Sequence, residues 1–373
     1  MDTIVVIGAG LAGGTAVTEL RAQGHEGPIV LFGSEPHPPY ERPPLSKGYL
    51  LGNESIDTAF VHEPGWYAEH DVDLRTSTTV TGLDLDARVV RTAEGEQRYD
   101  RLLIATGAQP RRLAMADEAA PTAYLRTIED SDRIKSIFGA DRRIVIVGAG
   151  WIGLEVAAAA RASDTAVTVF ESAALPLMGV LGPQIAQVFA DLHREHGVDL
   201  RLGASVSADD LAGADLVVVG IGAIPSTELA ETAGLDVDNG VLVDATLQTS
   251  RPGVYAIGDI ANHDHPVLRR RIRVEHWDTA IEQAKVAARN MLGHAEPYER
   301  LPYFFTDQYD LGMEYVGRAG RDAQVVVQGE LADVNALNFR AFWVEDGLVT
   351  AGMHVNDWDA TDAIREQIGK PLA

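Results

Sequence analysis

The chain carries Thr3-Ile-Val-Val-Ile-Gly-Ala-Gly-Leu-Ala-Gly13 and, later, Arg143-Ile-Val-Ile-Val-Gly-Ala-Gly-Trp-Ile-Gly153, two versions of one pattern. Each is a short β-branched run, then G-x-G-x-x-G, then an alanine-rich stretch of helical character. Each continues into a second apolar strand that leads to an acidic residue: Ile29–Phe32 before Glu35, and 167–170 before Glu171. That is a βαβ unit twice over, the form of a dinucleotide-binding half. A lone glycine motif is weak evidence, because tight turns tolerate glycine anywhere. Here each copy follows a strand, opens a helix and has an acidic residue about 20 positions on, as ribose recognition requires. Two dinucleotide sites are therefore expected. Gly8, Gly10, Leu11, Ala12 and Gly13 line the first, and Gly148, Gly150, Trp151, Ile152 and Gly153 the second.

Later punctuation fits the same scheme. Leu102-Leu-Ile-Ala-Thr-Gly107 and Leu216-Val-Val-Val-Gly-Ile-Gly222 read as apolar strands ending in glycine turns, with Pro110 and Pro225 marking crossovers between domains. Val254-Tyr-Ala-Ile-Gly-Asp259 is another buried strand, delivering Asp259 to the carboxyl edge where ligands of open α/β sheets gather. Asp278 is the expected N-cap of a helix with Ala280, Ala284, Ala287, Ala288 and Met291 on one face. Beyond Leu301 the texture changes to aromatics and alternation, which predicts a small sheet closed by a helix over 358–368.

The composition excludes several classes of function. Thirty-one basic against 55 acidic residues give a net charge of −24, which disfavours nucleic acid phosphates and anionic membrane surfaces. There is no cysteine, and so no disulfide, thiolate-held metal, thiol nucleophile or redox-active dithiol. No apolar run approaches the ~18 residues of a membrane span, and the start lacks the basic-then-apolar order of a signal peptide. The expected location is the cytoplasm.

With Glu41-Arg-Pro-Pro-Leu-Ser-Lys47, Ala105-Thr-Gly107, Tyr124-Leu-Arg126 and Arg273-Val-Glu-His-Trp277 added to the two glycine motifs, the chain resembles a known family over nearly its whole length. It is similar to the FAD-dependent ferredoxin, rubredoxin and putidaredoxin reductases, of which apoptosis-inducing factor is a more distant relative. The Pro-Pro-Leu-Ser-Lys segment discriminates best, since related disulfide reductases carry their active cysteines in the corresponding part of the chain. The resemblance implies an α/β, glutathione-reductase-like fold: two Rossmann-type domains plus a small α+β C-terminal domain. Its boundaries would be 1–108 with 226–300 for a discontinuous FAD domain, 109–225 for the NAD(H) domain, and 301–373 for an interface domain.

The resemblance also assigns FAD to the first glycine motif and NADH to the second. Ser34, Glu35, Arg42, Lys47, Val80, Thr106, Gly107, Arg126, Asp259, Glu275, His276 and Trp277 join the first motif in the FAD site; Glu155, Glu171 and Gly222 join the second. Lys47 and Glu155 would meet beside flavin N5, and Trp277 beside the ring system, with the helix after it stabilising an anionic reduced flavin. Two departures stand out: 172–182 holds no basic residue, and the terminal domain is shorter than is usual in the family. The implied activity is NADH-dependent reduction of a ferredoxin-type carrier serving a cytochrome P450 or Rieske oxygenase. Two readings stay open beside it: an NADH oxidase or quinone/dye reductase with a small acceptor, and a non-catalytic NADH-responsive sensor. Arg269, Arg270, Arg271 and Arg273 form the densest basic cluster, a candidate docking patch for an acidic carrier.

Overall fold

The computed structural model describes residues 1–334 and 336–372, which form two compact units. The first comprises 1–42, 56–109 and 224–300; the second comprises 43–55, 110–223 and 301–373.

A five-stranded parallel sheet organises the first unit, in the order Val254–Ala256, Arg101–Ile104, Ile4–Ile7, Ile29–Phe32, Val72–Arg75. All four residues of Ile4–Ile7 are buried, as expected of a β-branched run covered on both faces. The helix Leu11–Ala22 buries Ala12, Gly13, Gly14, Ala16, Val17 and Leu20 and packs on the helix Trp277–Met291. That second helix turns inward the alanine stripe read from the sequence, with Met291 at its end. Small side chains on both faces let the two backbones lie close.

This helix starts two residues earlier than expected, and its N-cap is His276, not Asp278. His276 is extended, and its Nδ1 accepts from the Asp278 amide at 3.3 Å. The Asp278 carboxylate is buried and taken by Arg300, whose guanidinium donates two bonds of 2.7 and 2.6 Å to it. A two-pronged ion pair outcompetes a single capping bond for the same carboxylate.

The second unit repeats the design with the order Asp199–Leu202, Ala166–Glu171, Arg143–Val147, Leu216–Val219, Thr122–Ala123, again all parallel. Its glycine-turn helix, Trp151–Ala162, buries Glu155 among alanines. A helix over Met178–Glu195 kinks at Gly182, whose φ is 75°, ahead of Pro183, and then carries His193 into the core. The terminal segment is a five-stranded antiparallel sheet, Tyr303–Gln308, Leu311–Gly317, Leu348–Val355, Asn338–Glu345 and Gln324–Glu330 in that order. Its closing helix is shorter than 358–368 and spans Thr361–Gln367. Asn356 adopts a left-handed φ of 53° and Trp358 stays exposed, so the chain is still turning where helix was expected.

Candidate functional site

In the first glycine turn, a Cβ on Gly8 would lie 2.1 Å from the Ala105 carbonyl oxygen, and one on Gly13 would lie 2.0 Å from the Gly8 carbonyl oxygen. Those two glycines are demanded by the packing of strand against helix. Gly10 is different: a Cβ there would meet nothing within 4 Å, and its φ of −88° suits any residue. It is also the N-cap of Leu11–Ala22 and supplies no side-chain cap. The turn is therefore open space at the start of an uncapped helix, the arrangement that accepts a pyrophosphate.

The second turn matches it. Gly148 and Gly153 would clash with the carbonyl oxygens of Gly220 and Gly148, at 2.4 and 2.1 Å. Gly150 would make only an ordinary 3.9 Å contact, and it too leaves its helix uncapped. At the end of the neighbouring strand, the Glu171 carboxylate accepts from the amides of Ala149 and Ala173, both at 2.8 Å. It thus shapes the turn. On the adjoining strand, Arg201 lies opposite Phe170 in the register and pairs with Asp199 at 3.0 Å. Trp151 packs on Phe304 with centroids 5.1 Å apart, Ile152 is exposed, and Gly222 has a φ of 101°.

Acidic and basic groups cluster in the first unit. Arg42 pairs with Glu35 at 2.7 Å, and the Tyr40 hydroxyl donates to the same carboxylate. The Asp259 charge also acts on Arg42. The indole N–H of Trp277 donates to Glu41 at 2.9 Å. Burial holds the Glu41 carboxyl above its usual range, and this bond works against that. The main-chain oxygen of Asp259 accepts from Arg273, which also pairs with Glu275 at 2.5 Å. Arg273 is thereby removed from the expected cationic patch, leaving Arg269, Arg270 and Arg271 exposed. Thr106 donates to the Ser226 carbonyl at 3.0 Å beside Gly107, Ser34 is exposed, and Val80 packs against the core.

Lys47 and Arg126, the remaining residues assigned to FAD, belong to the second unit. The amide of Arg126 donates to Asp130 at 3.0 Å, ahead of a capped helix. Lys47 pairs with Glu155 at 2.7 Å, and its ammonium lies 5.1 Å from the centroid of the Phe305 ring. Glu155 also accepts from the hydroxyls of Ser46 at 2.5 Å and Thr306 at 2.6 Å. Three donors from two distant parts of the chain thus satisfy one buried carboxylate, which is how a charge is held out of water. Sequence reasoning missed Ser46, Thr306, Tyr40 and Glu41 as site residues. Three of these lie within or beside the segment ending at Lys47; Thr306 carries no local signal. Among the described residues there is no metal-binding cluster, and no helix is long and apolar enough to cross a membrane.

Residues 2–287 match the family described as pyridine nucleotide-disulphide oxidoreductase, and 303–371 match a reductase C-terminal domain. Among curated relatives, putidaredoxin reductase CamA of Pseudomonas putida is 37% identical over 95% of this chain and 89% of its own. The ferredoxin–NAD(+) reductase component of the anthranilate 1,2-dioxygenase system of Burkholderia cepacia is 38% identical over 89% and 86%. Among solved structures, the reductase in a covalent putidaredoxin reductase–putidaredoxin complex superposes with a TM-score of 0.93 at 36% identity, covering 99% of this chain and 93% of that one.

Proposed function

The chain belongs to the pyridine nucleotide-disulphide oxidoreductase family, and from that premise we propose that it is an NADH-dependent ferredoxin reductase of an oxygenase system. The observation that carries this reading is the absence of cysteine from all 373 residues. With no dithiol to receive them, the electrons must leave for an external acceptor. Bound FAD would supply the conversion of a two-electron donor into single electrons for the carrier. In this reading residues 1–108 and 226–300 bind FAD, 109–225 bind NADH, and 301–373 face the partner.

Each role follows from the chemistry of the side chain. Gly10 and Gly150 leave room for a pyrophosphate against the first-turn amides. Glu35, oriented by Tyr40 and Arg42, accepts from ribose hydroxyls in one unit, and Glu171 does so in the other. Asp259 holds the ribityl chain. Glu155, fixed by Ser46 and Thr306, holds the Lys47 ammonium, whose charge favours negative charge developing on the flavin. Glu41 fixes the plane of Trp277.

The test uses the purified protein. It should be yellow with one FAD per chain, reduce a ferredoxin with NADH over many turnovers, and show a far lower kcat/KM with NADPH. Glu171 repels a 2′-phosphate, and 172–182 offers no cation to neutralise it. A folded, colourless protein that does not take up added FAD ends this reading. Turnover with quinones or dyes but with no ferredoxin replaces it with the small-acceptor alternative.

A further inference from the structure

The Glu155 carboxylate is the end of a longer series of bonds inside the second unit. Strand alternation turns Thr306 and Gln308 to the same buried face of Tyr303–Gln308. The Gln308 amide nitrogen donates to the Thr306 hydroxyl oxygen at 3.1 Å, and its oxygen lies 2.9 Å from Nε2 of His193. On the other side of that ring, the Tyr309 hydroxyl lies 3.2 Å from Nδ1. Tyr309, half-buried, stacks on His196 with centroids 3.6 Å apart.

Only one direction of donation satisfies every member. An ionised carboxylate accepts only, so Thr306 spends its single proton on Glu155. Gln308 must then present its NH2 to Thr306 and its oxygen to His193. Nε2 of His193 therefore carries the proton, Nδ1 is the acceptor, and the Tyr309 hydroxyl donates to it. We propose that Tyr309, His193, Gln308 and Thr306 form one polarised hydrogen-bond chain that ends on Glu155, and that His193 and Gln308 are positioning residues for its carboxylate. The inference rests on the role given above to Glu155.

Donors aligned head to tail strengthen one another and favour the charged form of the group at the end. Protonation of Glu155 on Oε1 would reverse this chain, with Thr306 turning its hydroxyl, the Gln308 amide flipping and His193 changing tautomer. On Oε2 it would need only Ser46 to turn its hydroxyl toward the Pro43 carbonyl, so the chain acts through the donation it gives the charged form. His193 suits the role because burial pushes its pKa down to about 4, with His196 adding to the effect, so the imidazole is neutral at neutral pH. The charges acting on the Glu155 end are Lys47 and Asp307; those near the other end are His196 and, beside Tyr309, Arg161.

The experiment follows reduction of bound flavin by NADH in single turnovers across pH, with wild type, Glu155→Gln, Gln308→Leu and Tyr309→Phe. Glu155→Gln should remove the acid limb of the rate profile. Gln308→Leu should move that limb up by about half a pH unit, roughly a threefold change in proton affinity. Tyr309→Phe keeps the ring on His196 and should shift the limb less, in the same direction, which provides a folded variant if Gln308→Leu is unstable. Nitrogen-15 shifts at pH 7 should show His193 in the Nε2–H form. The proposal is overturned if the limb disappears in Glu155→Gln but stays in place in both chain variants, or if His193 carries its proton on Nδ1. A limb that persists in Glu155→Gln removes the role of Glu155 itself, and this inference with it.

Discussion

Lys47 and Glu155 pair with side chains only 15% and 3% exposed, so the carboxylate has no water to fall back on if its partner is lost. In Lys47→Ala the carboxylate keeps two hydroxyl donors but loses its counter-ion, and breaking such a pair costs about 3–5 kcal/mol. Loss of a preorganised charge should also slow flavin reduction by roughly a hundredfold while NADH affinity changes much less. Stopped-flow absorbance and thermal unfolding measure the two effects; an unchanged reduction rate makes the lysine structural. Lys47 and Glu155 were legible because each sits in a segment with its own pattern. Thr306 was not, because it lies 151 residues from the carboxylate it serves and only the fold joins them. His193 is likewise silent in the sequence, yet its state follows from its place. It is fully buried and its folded pKa of about 4 lies below the ordinary 6.5. The unfolded chain therefore takes up the proton first. This contribution to stability is complete above pH 6.5 and is lost as the pH falls through 4, about 3 kcal/mol in all. Urea unfolding at several pH values should show stability falling across that window, more gently in His193→Gln. An equal slope in both proteins would mean that the ring is solvated.

The elements were legible where local pattern and tertiary demand agree. Ile4–Ile7 and Arg143–Val147 are short β-branched runs, and both became central strands of parallel sheets. The start of Trp277–Met291 was misplaced because the sequence offers Asp278 as a cap but says nothing of Arg300, which claims its carboxylate. The glycine turns teach a finer point. The motif marks three glycines alike, whereas the structure divides them into two required by packing and one that faces open space. Gly10→Ala should therefore fold with nearly unchanged thermal stability and lose FAD affinity at least about tenfold, since a methyl group intrudes only where the pyrophosphate would lie. Gly150→Ala should keep its flavin and bind NADH more weakly. Gly13→Ala should instead unfold readily, because its Cβ would lie 2.0 Å from a backbone oxygen. Flavin fluorescence on dilution separates the cases; an unaltered FAD affinity in Gly10→Ala would show that no ligand approaches that turn.

At the scale of the whole molecule the governing quantity is the net charge of −24, which repels an acidic carrier at every distance that salt leaves unscreened. Local charge can act against it only within about a Debye length, roughly 30 Å at 0.01 M salt and 10 Å at 0.1 M. Arg269 and Arg270 are exposed, lie at the turn before and within the edge strand Arg270–Ile272, and make no ion pair among the described residues. Arg271 is exposed too, but its guanidinium donates to the carbonyls of Val243 and Asn262, and Arg273 is tied to Glu275. The surplus carboxylates have thus claimed one arginine of the four, and the backbone another. A carrier docking at the remaining two would experience opposite fields at long and short range. Its kcat/KM should rise as salt first screens the global repulsion, then fall as salt weakens the local attraction, giving a maximum at intermediate ionic strength. Replacing Arg269 and Arg270 with Glu removes only the local part. That variant should have a higher KM for the carrier and a kcat/KM that rises with salt throughout. Ferricyanide reduction should continue in it, since that acceptor needs no extended docking surface. Equal losses with both acceptors would indicate damage at the flavin, and a variant that keeps the wild-type salt maximum would place the docking surface elsewhere.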